Sequence, residues 1–511
     1  MMFIGDILVA LDLVTREDVA DGLAVQRYKG GRLGDSLVEL GRISPEALAA
    51  AIEAIPASPR TVADTGLSLA LLLNLLMKAM HVVGVDTPSA ICELLKLPPR
   101  AVLDLLDEAG QRQLINVLGS VGAGLVSERR YSLSLGGVEW AQAAMRECKY
   151  IGPAPVTLAA FRDQIRRQGI SKVKINHEAI DRAFGDMVIS EELVCKIGPA
   201  INSARSILLY GPPGNGKSSI ATRVGSLFKD VIYIPYCFEV DGQIVTVFDP
   251  TVHKPLQTNS DGEVDDDPVL HREDFDPRWE PCTRPVIMVG GELTLEMLDL
   301  GYKSESNFCE APLHIKALGG VFVIDDFGRQ LVKPEALLNR WIVPLESRID
   351  YLKLNTGKSF QLPFDELVIF STNLSPSDLM DPAFLRRIPY KIGINAPSAD
   401  EYRDIFKMTA ERAGVEATDS MVDHIICELN ERNGIPLAGY QPRFIVDQVL
   451  ATCQFMDTQP QIQPRFIAMA LNNLYTEEDR KFGDVTRLPR PQAVRGRARA
   501  DAGEPRALAA A

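Results

Sequence analysis

The chain has 511 residues, with 54 Lys and Arg against 68 Asp and Glu and a net charge of −14. Its 46% apolar and 24% charged content is ordinary for a globular protein and excludes a wholly disordered chain or a polytopic membrane protein. A pI near 5.1 argues against a nucleic-acid-coating role, which needs basic surface.

The charge is uneven. Asp261 to Glu280 holds nine acids and two bases, and Arg480 to Ala511 holds eight bases and three acids. The acidic stretch reads as a solvated surface loop, with partner contact as its second use. Eight cysteines lie between Cys92 and Cys453 without a C-x-x-C pair, so neither a disulfide framework nor a zinc site is expected. The opening MMFIGDILVALDL lacks a basic n-region and a cleavage site, which points to a cytoplasmic protein without a secretory signal. The most apolar run, Leu67 to Val85, contains Asn74, Lys78 and His81. It is expected as a buried core helix, with no membrane span.

In chain order, the first element is a duplication. Ile4 to Gln26 and Leu33 to Ile55 align at a constant offset of 29 residues. Gly5 matches Gly34, Leu8-Val9 matches Leu37-Val38, and Val14 matches Ile43. Each copy is predicted as a short helix, a turn and a second helix started by Thr15 or Ser44. Thr15 has Asp18 three residues on, and Ser44 has Pro45 at the first helical position. Such a unit cannot bury its own apolar face, but two together can.

This duplication over 1–57 resembles the MshEN domain of type II secretion and type IV pilus assembly ATPases. Arg32-Leu33-Gly34, Leu37-Val38, Gly41 and Ile43 carry the second copy, and Ile4-Gly5, Leu8-Val9, Leu13-Val14 and Gln26 the first. The resemblance implies a cyclic di-GMP site at Ile4, Gly5, Gln26, Arg32, Leu33 and Gly34. Glycines would admit the ligand, and Arg would offer a planar donor fork. Phe3, Asp12, Arg42 and Ile55 depart from the pattern, so a docking module that binds no ligand is the second reading.

A polar joint runs from Pro56 to Thr65. Helices are then predicted over 67–83, 88–97 and 99–117, a strand pair around 124–135, and a helix over 136–148. This order over 66–150, with the turn RRYSLSLGG, resembles a winged helix. The expected recognition helix carries Asp104, Asp107 and Glu108 against Arg100 and Arg112. That balance favours protein docking over DNA. Pro153 to Gly169 reads as a linker with one polar helix.

Over 172–395, apolar runs alternate with helical patterns, which predicts a parallel α/β sheet. Candidate strands are 206–210, 231–235, 286–289, 321–325 and 367–372. The strongest motif is Gly211, Pro212, Pro213, Gly214, Asn215, Gly216, Lys217, Ser218. It fits G-x-x-x-x-G-K-[ST], follows the apolar ILLY and, with Ser219, opens a helical pattern, the context this phosphate loop requires. Its glycines let backbone N–H groups close on phosphates. Lys217 would meet the β- and γ-phosphates, and Ser218 would be a Mg²⁺ ligand. The second motif, Val321-Phe-Val-Ile-Asp325-Asp326, fits a buried parallel strand ending at a ligand crevice. Asp325 would serve the metal, and Asp326 would orient the attacking water.

These motifs resemble those of the AAA+ ATPases, and two further segments extend the resemblance. ELVIFSTN, ending at Asn373, is similar to a sensor-1 strand, and DPAFLRR, ending at Arg386 and Arg387, to an arginine-finger segment. One of these two arginines would reach the neighbouring subunit's γ-phosphate. QPRFI, with Arg443, is similar to sensor 2 at the start of a helical lid over 396–480. The resemblance also places adenine beside Val188 and Ile189. It implies an ATP- and Mg²⁺-dependent hydrolase, assembled as a hexameric ring, that remodels a partner protein. Asp326 stands where the family usually has Glu. A basic disordered tail over 481–511 closes the chain. The alternatives are a secretion or pilus motor and an ATP-dependent DNA-binding regulator.

Overall fold

A computed structural model describes residues 4–11, 13–121, 128–256, 275–303, 305, 307–379 and 381–475. Phe3, Asp12, the bulk of the acidic loop and the basic tail lie outside the described residues. Two compact units emerge, 1–395 and 396–511.

The first unit opens with α1 (Ile4–Ala10), α2 (Arg16–Lys29), α3 (Leu33–Glu39) and α4 (Pro45–Ala54). Thr15 and Asp18 form a reciprocal capping box on α2, and Ser44 caps α4 with Pro45 behind it. Ile4, Leu8 and Val14 are buried, and so are their duplicates Leu33, Leu37 and Ile43. The two copies therefore share one small core. Gly5 and Gly34 serve that packing. A Cβ on Gly5 would come within 2.8 Å of Val19, and one on Gly34 within 2.9 Å of Leu48.

Next come α5 (Leu69–Lys78), α6 (Pro88–Leu95), α7 (Pro99–Gln111), β1 (Ile115–Val121), β2 (Glu128–Leu133) and α8 (Leu135–Glu147). α5 is buried and runs into a π-turn over Ala79–Val83. No single helix among the described residues is long and apolar enough to cross a membrane. The helix expected to run to Val117 stops at Gln111. Gln113 takes φ +58°, Leu114 N closes on Ala109 O at 2.9 Å, and the β-branched Ile115 and Val117 pair with β2.

The segment read as a linker is built into the fold. β3 (Val156–Thr157) pairs with a later strand, and α9 (Leu158–Arg167) buries Phe161 and Ile165. The apolar pair at i and i+4 gave α9 one buried face despite its charge.

The remaining elements are α10 (His177–Phe184), α11 (Glu191–Asn202), β4 (Ile207–Tyr210), α12 (Lys217–Gly225), β5 (Val231–Pro235), β6 (Cys237–Val240), β7 (Gln243–Thr246), β8 (Trp279–Thr283), β9 (Val286–Val289), β10 (Gly301–Lys303), β11 (Phe308–Glu310), α13 (Leu313–Lys316), β12 (Val321–Ile324), α14 (Pro334–Arg340), α15 (Ile342–Ser347), β13 (Ile349–Lys353), β14 (Ser359–Pro363), β15 (Leu367–Thr372), α16 (Pro376–Leu379), α17 (Pro382–Leu385) and β16 (Tyr390–Gly393). The central sheet is parallel, in the order β16-β4-β15-β12-β9. Alternate residues feed two cores. Ile207, Leu209, Val321, Val323 and Ile369 face one, and Leu208, Phe322, Ile324, Val368 and Phe370 face the other. Burial on both faces explains the unbroken apolar runs.

The expected strand over 231–235 lies elsewhere. β5 pairs antiparallel with β8 in a separate two-stranded sheet. A third sheet, β10-β11-β7-β6-β3, gathers the insertion between the two nucleotide motifs. Its β6–β7 hairpin turns at Asp241 (φ +50°) and Gly242 (φ +79°), the paired positive φ of a type I′ turn.

The second unit is helical: α18 (Ala399–Arg412), α19 (Asp419–Ile426), α20 (Gln441–Phe455) and α21 (Pro464–Leu474). Ser398 and Glu401 form a capping box on α18. Tyr402, Phe406, Val422, Ile445 and Phe466 fill its core.

Candidate nucleotide site

The C-terminal ends of β4, β15 and β12 lie side by side, since Tyr210 is in register with Thr372 and Ile324 with Phe370. Each ends in one of the sequence motifs. Ligands of open parallel sheets bind outside this edge.

From β4 the chain enters the glycine loop. Gly211, Gly214 and Gly216 take φ of +139°, +78° and +81°, values that L-residues with a Cβ rarely adopt. Gly211 has a second constraint, because a Cβ there would lie 2.2 Å from Ile394 O. Gly216 is the N-cap of α12 and has no side-chain cap. The positive end of this helix therefore faces the loop. Lys217 is buried and folds back over the loop, donating to Gly211 O at 2.9 Å and Pro212 O at 2.7 Å. Burial pushes its ammonium below the ordinary lysine range, against the pull of Asp325 and Asp326. Ser218 is half-buried in the first turn of α12, Ser219 and the prolines Pro212 and Pro213 are exposed, and Asn215 is half-buried.

From β12 the chain reaches Asp325 and Asp326. Asp326 has φ +48°, a region in which Asp and Asn are enriched several-fold over other non-Gly residues. This is a local reason for Asp rather than Glu. Its backbone N–H donates to Asp325 Oδ1 at 3.0 Å, and its Oδ1 accepts from Asn373 Nδ2 at 3.0 Å. Thr372 Oγ1 donates to Phe327 O at 2.7 Å, tying the same two strand ends together. Sequence reasoning missed Thr372, Ile394 and Glu292. Glu292, past the end of β9, accepts from Gly290 N at 2.8 Å.

Val188 and Ile189 are half-buried between α10 and α11. Their neighbour Met187 reaches the loop, since a Cβ on Gly216 would lie 3.8 Å from its Cε. Arg223 of α12 pins this segment through an ion pair with Asp186 and a 3.0 Å bond to Ala183 O.

Arg386 and Arg387 lie apart from that edge. They precede β16, and Tyr390 is in register with Ile207 at the opposite end of β4. About 13 Å of strand separates them from the glycine loop. The two differ. Arg387 donates Nε to Glu346 Oε1 at 2.6 Å and stacks on Phe384. Arg386 is exposed, and its side chain has neither a hydrogen bond nor an ion pair among the described residues. Arg443 belongs to the second unit, where it is exposed in the first turn of α20, 3.7 Å from Asp447.

Glycine-loop amides, a lysine ammonium and a helix N-terminus suit a polyphosphate. The Ser218 hydroxyl and Asp325 suit Mg²⁺, which takes few protein oxygens and completes its shell from phosphates and water. No group of three or more His, Cys, Asp or Glu that could hold a metal ion by itself occurs among the described residues.

Of the positions expected for cyclic di-GMP, Gly5, Gln26, Leu33 and Gly34 are buried in the repeat. Gln26 Nε2 donates to Gly31 O at 2.8 Å. Ile4, itself buried, and the exposed Arg32 line an open cleft.

Residues 398–473 match the model of a domain of unknown function, DUF8689. No curated protein matches the chain. Among solved structures it is similar to the RuvB Holliday junction branch migration motor of Thermotoga maritima, at 15% identity and a TM-score of 0.31, covering 63% of this chain and 72% of that one. It is similar to NtrX from Brucella abortus in complex with ADP, at 14% identity and a TM-score of 0.32, covering 62% of each chain. It is also similar to domain III of the Thermotoga maritima replication initiation protein DnaA, at 10% identity and a TM-score of 0.32, covering 59% of this chain and 98% of that one.

Proposed function

We propose that the chain is an ATPase of the AAA+ type, which binds Mg·ATP at the C-terminal edge of its parallel sheet and hydrolyses it. The observation that carries this reading is the convergence of the glycine loop, Asp325, Asp326 and Asn373 on that edge. Lys217 and the loop amides bind the β- and γ-phosphates, and Ser218 and Asp325 hold Mg²⁺. Asp326, oriented by Asn373, holds the attacking water and takes its proton. Val188 and Ile189 provide the apolar side for adenine, beside Met187.

The arginines support an assembly. At the far end of β4, Arg386 cannot serve its own loop. It is the finger offered to a neighbouring copy in a closed ring, and Arg387 holds it in place through Glu346. Arg443 on the helical unit acts as the second sensor. Work from turnover is spent on a partner protein. The test is Mg·ATP turnover by the purified chain against Lys217→Ala.

The module over 66–150 serves protein docking rather than DNA. Glu108 holds Arg112 at 2.7 Å and Asp86 pairs with Arg130, which neutralises part of the module's cationic charge. Regulation by cyclic di-GMP rests on two of its six expected positions, Ile4 and Arg32.

A further inference from the structure

Asp325 and Asp326 sit in a turn whose backbone N–H groups are all bonded. Asp325 N donates to Val289 O at 2.8 Å and Phe327 N to Ser371 O at 2.7 Å, so the flanking strands β9 and β15 hold the turn from both sides. Asp326 N donates to Asp325 Oδ1 at 3.0 Å, and Arg329 N to Asp326 O at 2.9 Å. The remaining N–H, of Gly328, donates to Gln330 Oε1 at 2.8 Å. The same side chain donates from Nε2 to Asp325 O at 3.0 Å.

Gln330 therefore closes a ring across the turn. Its amide has one workable orientation, because a flip would set donor against donor at Gly328 and acceptor against acceptor at Asp325. The turn is packed as well as bonded. Phe327 is buried against Phe370, with ring centroids 4.9 Å apart, and a Cβ on Gly328 would lie 2.7 Å from Leu379.

The bond to Asp325 O bears directly on Asp326. That carbonyl shares one peptide plane with Asp326 N, and the φ of Asp326 is the rotation of this plane about the N–Cα bond. The angle is +48°, which a residue other than glycine keeps only where its surroundings over-determine it. Gln330 holds the plane before Asp326. Phe327 N on Ser371 O, with Thr372 Oγ1 on Phe327 O at 2.7 Å, holds the chain after it. Asp is one methylene shorter than Glu, so it has fewer rotamers with which to recover a displaced backbone. Precision of the turn thus matters more here than it would with Glu.

We propose that Gln330 is a positioning residue for hydrolysis. Through Asp325 O and Gly328 N it keeps Asp326 in the left-handed conformation from which the carboxylate meets Asn373 Nδ2 and the attacking water. The proposal deepens the ATPase reading and rests on it.

The test compares the full wild-type chain with Gln330→Ala and Gln330→Glu. The turn is partly exposed, so water takes up the two groups that Gln330→Ala frees, and the melting temperature should change little. Its kcat should fall about tenfold or more, while Mg·ATP affinity stays within about twofold. In Gln330→Glu the ionised carboxylate still accepts from Gly328 N but cannot donate to Asp325 O, and protonation restores the donor. Its kcat relative to wild type at the same pH should therefore rise about threefold from pH 8 to pH 5, which a merely structural defect would not produce. Unchanged kcat in Gln330→Ala, a loss confined to affinity, or a flat pH ratio in Gln330→Glu would overturn the proposal. A crystal structure of Gln330→Ala gives a readout that needs no turnover. Asp326 should leave positive φ, or its contact with Asn373 should open beyond about 3.5 Å; an unmoved Asp326 would overturn the proposal by itself. Wild type without turnover would instead overturn the ATPase reading, and the crystal structure would still decide whether Gln330 sets the carboxylate.

Discussion

Asn373 Nδ2 donates to Asp326 Oδ1 across 3.0 Å, joining the ends of the adjacent strands β15 and β12. One carboxylate oxygen is thereby fixed in direction, while Asp326 itself sits at φ +48°. Asn373→Ala removes that orientation without touching the phosphate loop. Turnover should fall by about 10²-fold, the scale of a misplaced general base, while nucleotide affinity stays within about twofold. Single-turnover kinetics beside equilibrium ATP titration separates the two. A large loss of affinity with normal turnover would place Asn373 in binding instead.

The paired arginines should behave differently. Arg386→Ala should leave the melting temperature unchanged and cut turnover by about 10³-fold. Arg387→Ala breaks the bond to Glu346, a partly exposed pair worth about 1 kcal/mol, and should act mainly through stability. Mixing Arg386→Ala subunits with Lys217→Ala subunits should restore part of the activity, since some interfaces then combine an intact loop with an intact arginine. No recovery on mixing would argue against action in trans.

Behind the sheet, Asp350 is fully buried between His314 (Nε2 to Oδ2, 2.7 Å) and Arg340 (Nη1 to Oδ1, 2.7 Å). Burial alone would raise the Asp350 pKa, but these hydrogen bonds outweigh it and hold the group at about 2, below its ordinary 3.8. A folded value below the unfolded one stabilises above pH 4, and that stability is lost as pH falls toward 2. The contribution is about 2 kcal/mol. Asp350→Asn should therefore lower the urea midpoint at pH 7, and the gap to wild type should narrow between pH 4 and pH 2.

Glu366 has the opposite sign. It is fully buried, and neither carboxyl oxygen has a hydrogen-bond partner among the described residues. Burial pushes its pKa well above the ordinary 4.5, only partly opposed by Arg348. The folded chain thus binds a proton that the unfolded chain gives up above pH 4.5, so this group lowers stability as pH rises. Glu366→Met keeps the volume and removes the buried acid. It should stabilise by about 1–3 kcal/mol at pH 8, with a smaller gain at pH 5. Destabilisation at pH 8 would show that the acid has a partner in solution.

What could be read from the residues was whatever depends on local chemistry. The glycine loop, the acids after VFVI, the Thr15–Asp18 box and the Ser44-Pro45 start all specify their geometry within a few neighbours. The misses involve distant partners. β16 has Lys391 and Gly393 in four residues, and only Ile392 is fully buried, so its apolar signal is short. β5 reads like any core strand, yet it pairs with β8 some fifty residues later. In the motif, Arg386 and Arg387 look equivalent, and only Glu346, distant in sequence, separates them. Glycines in the repeat read as ligand gates, and the packing of Gly5 against Val19 and Gly34 against Leu48 was not legible because it depends on neighbouring helices.

The central claim is hydrolysis at the glycine loop, and steady-state phosphate release from Mg·ATP tests it most directly. Wild type, whose Lys217 ammonium lies 2.9 Å from Gly211 O and 2.7 Å from Pro212 O, should turn over ATP, and Lys217→Ala should lose turnover to background while keeping its fold by circular dichroism. Equal phosphate release by wild type and Lys217→Ala, or none by folded and assembled wild type, would contradict the account.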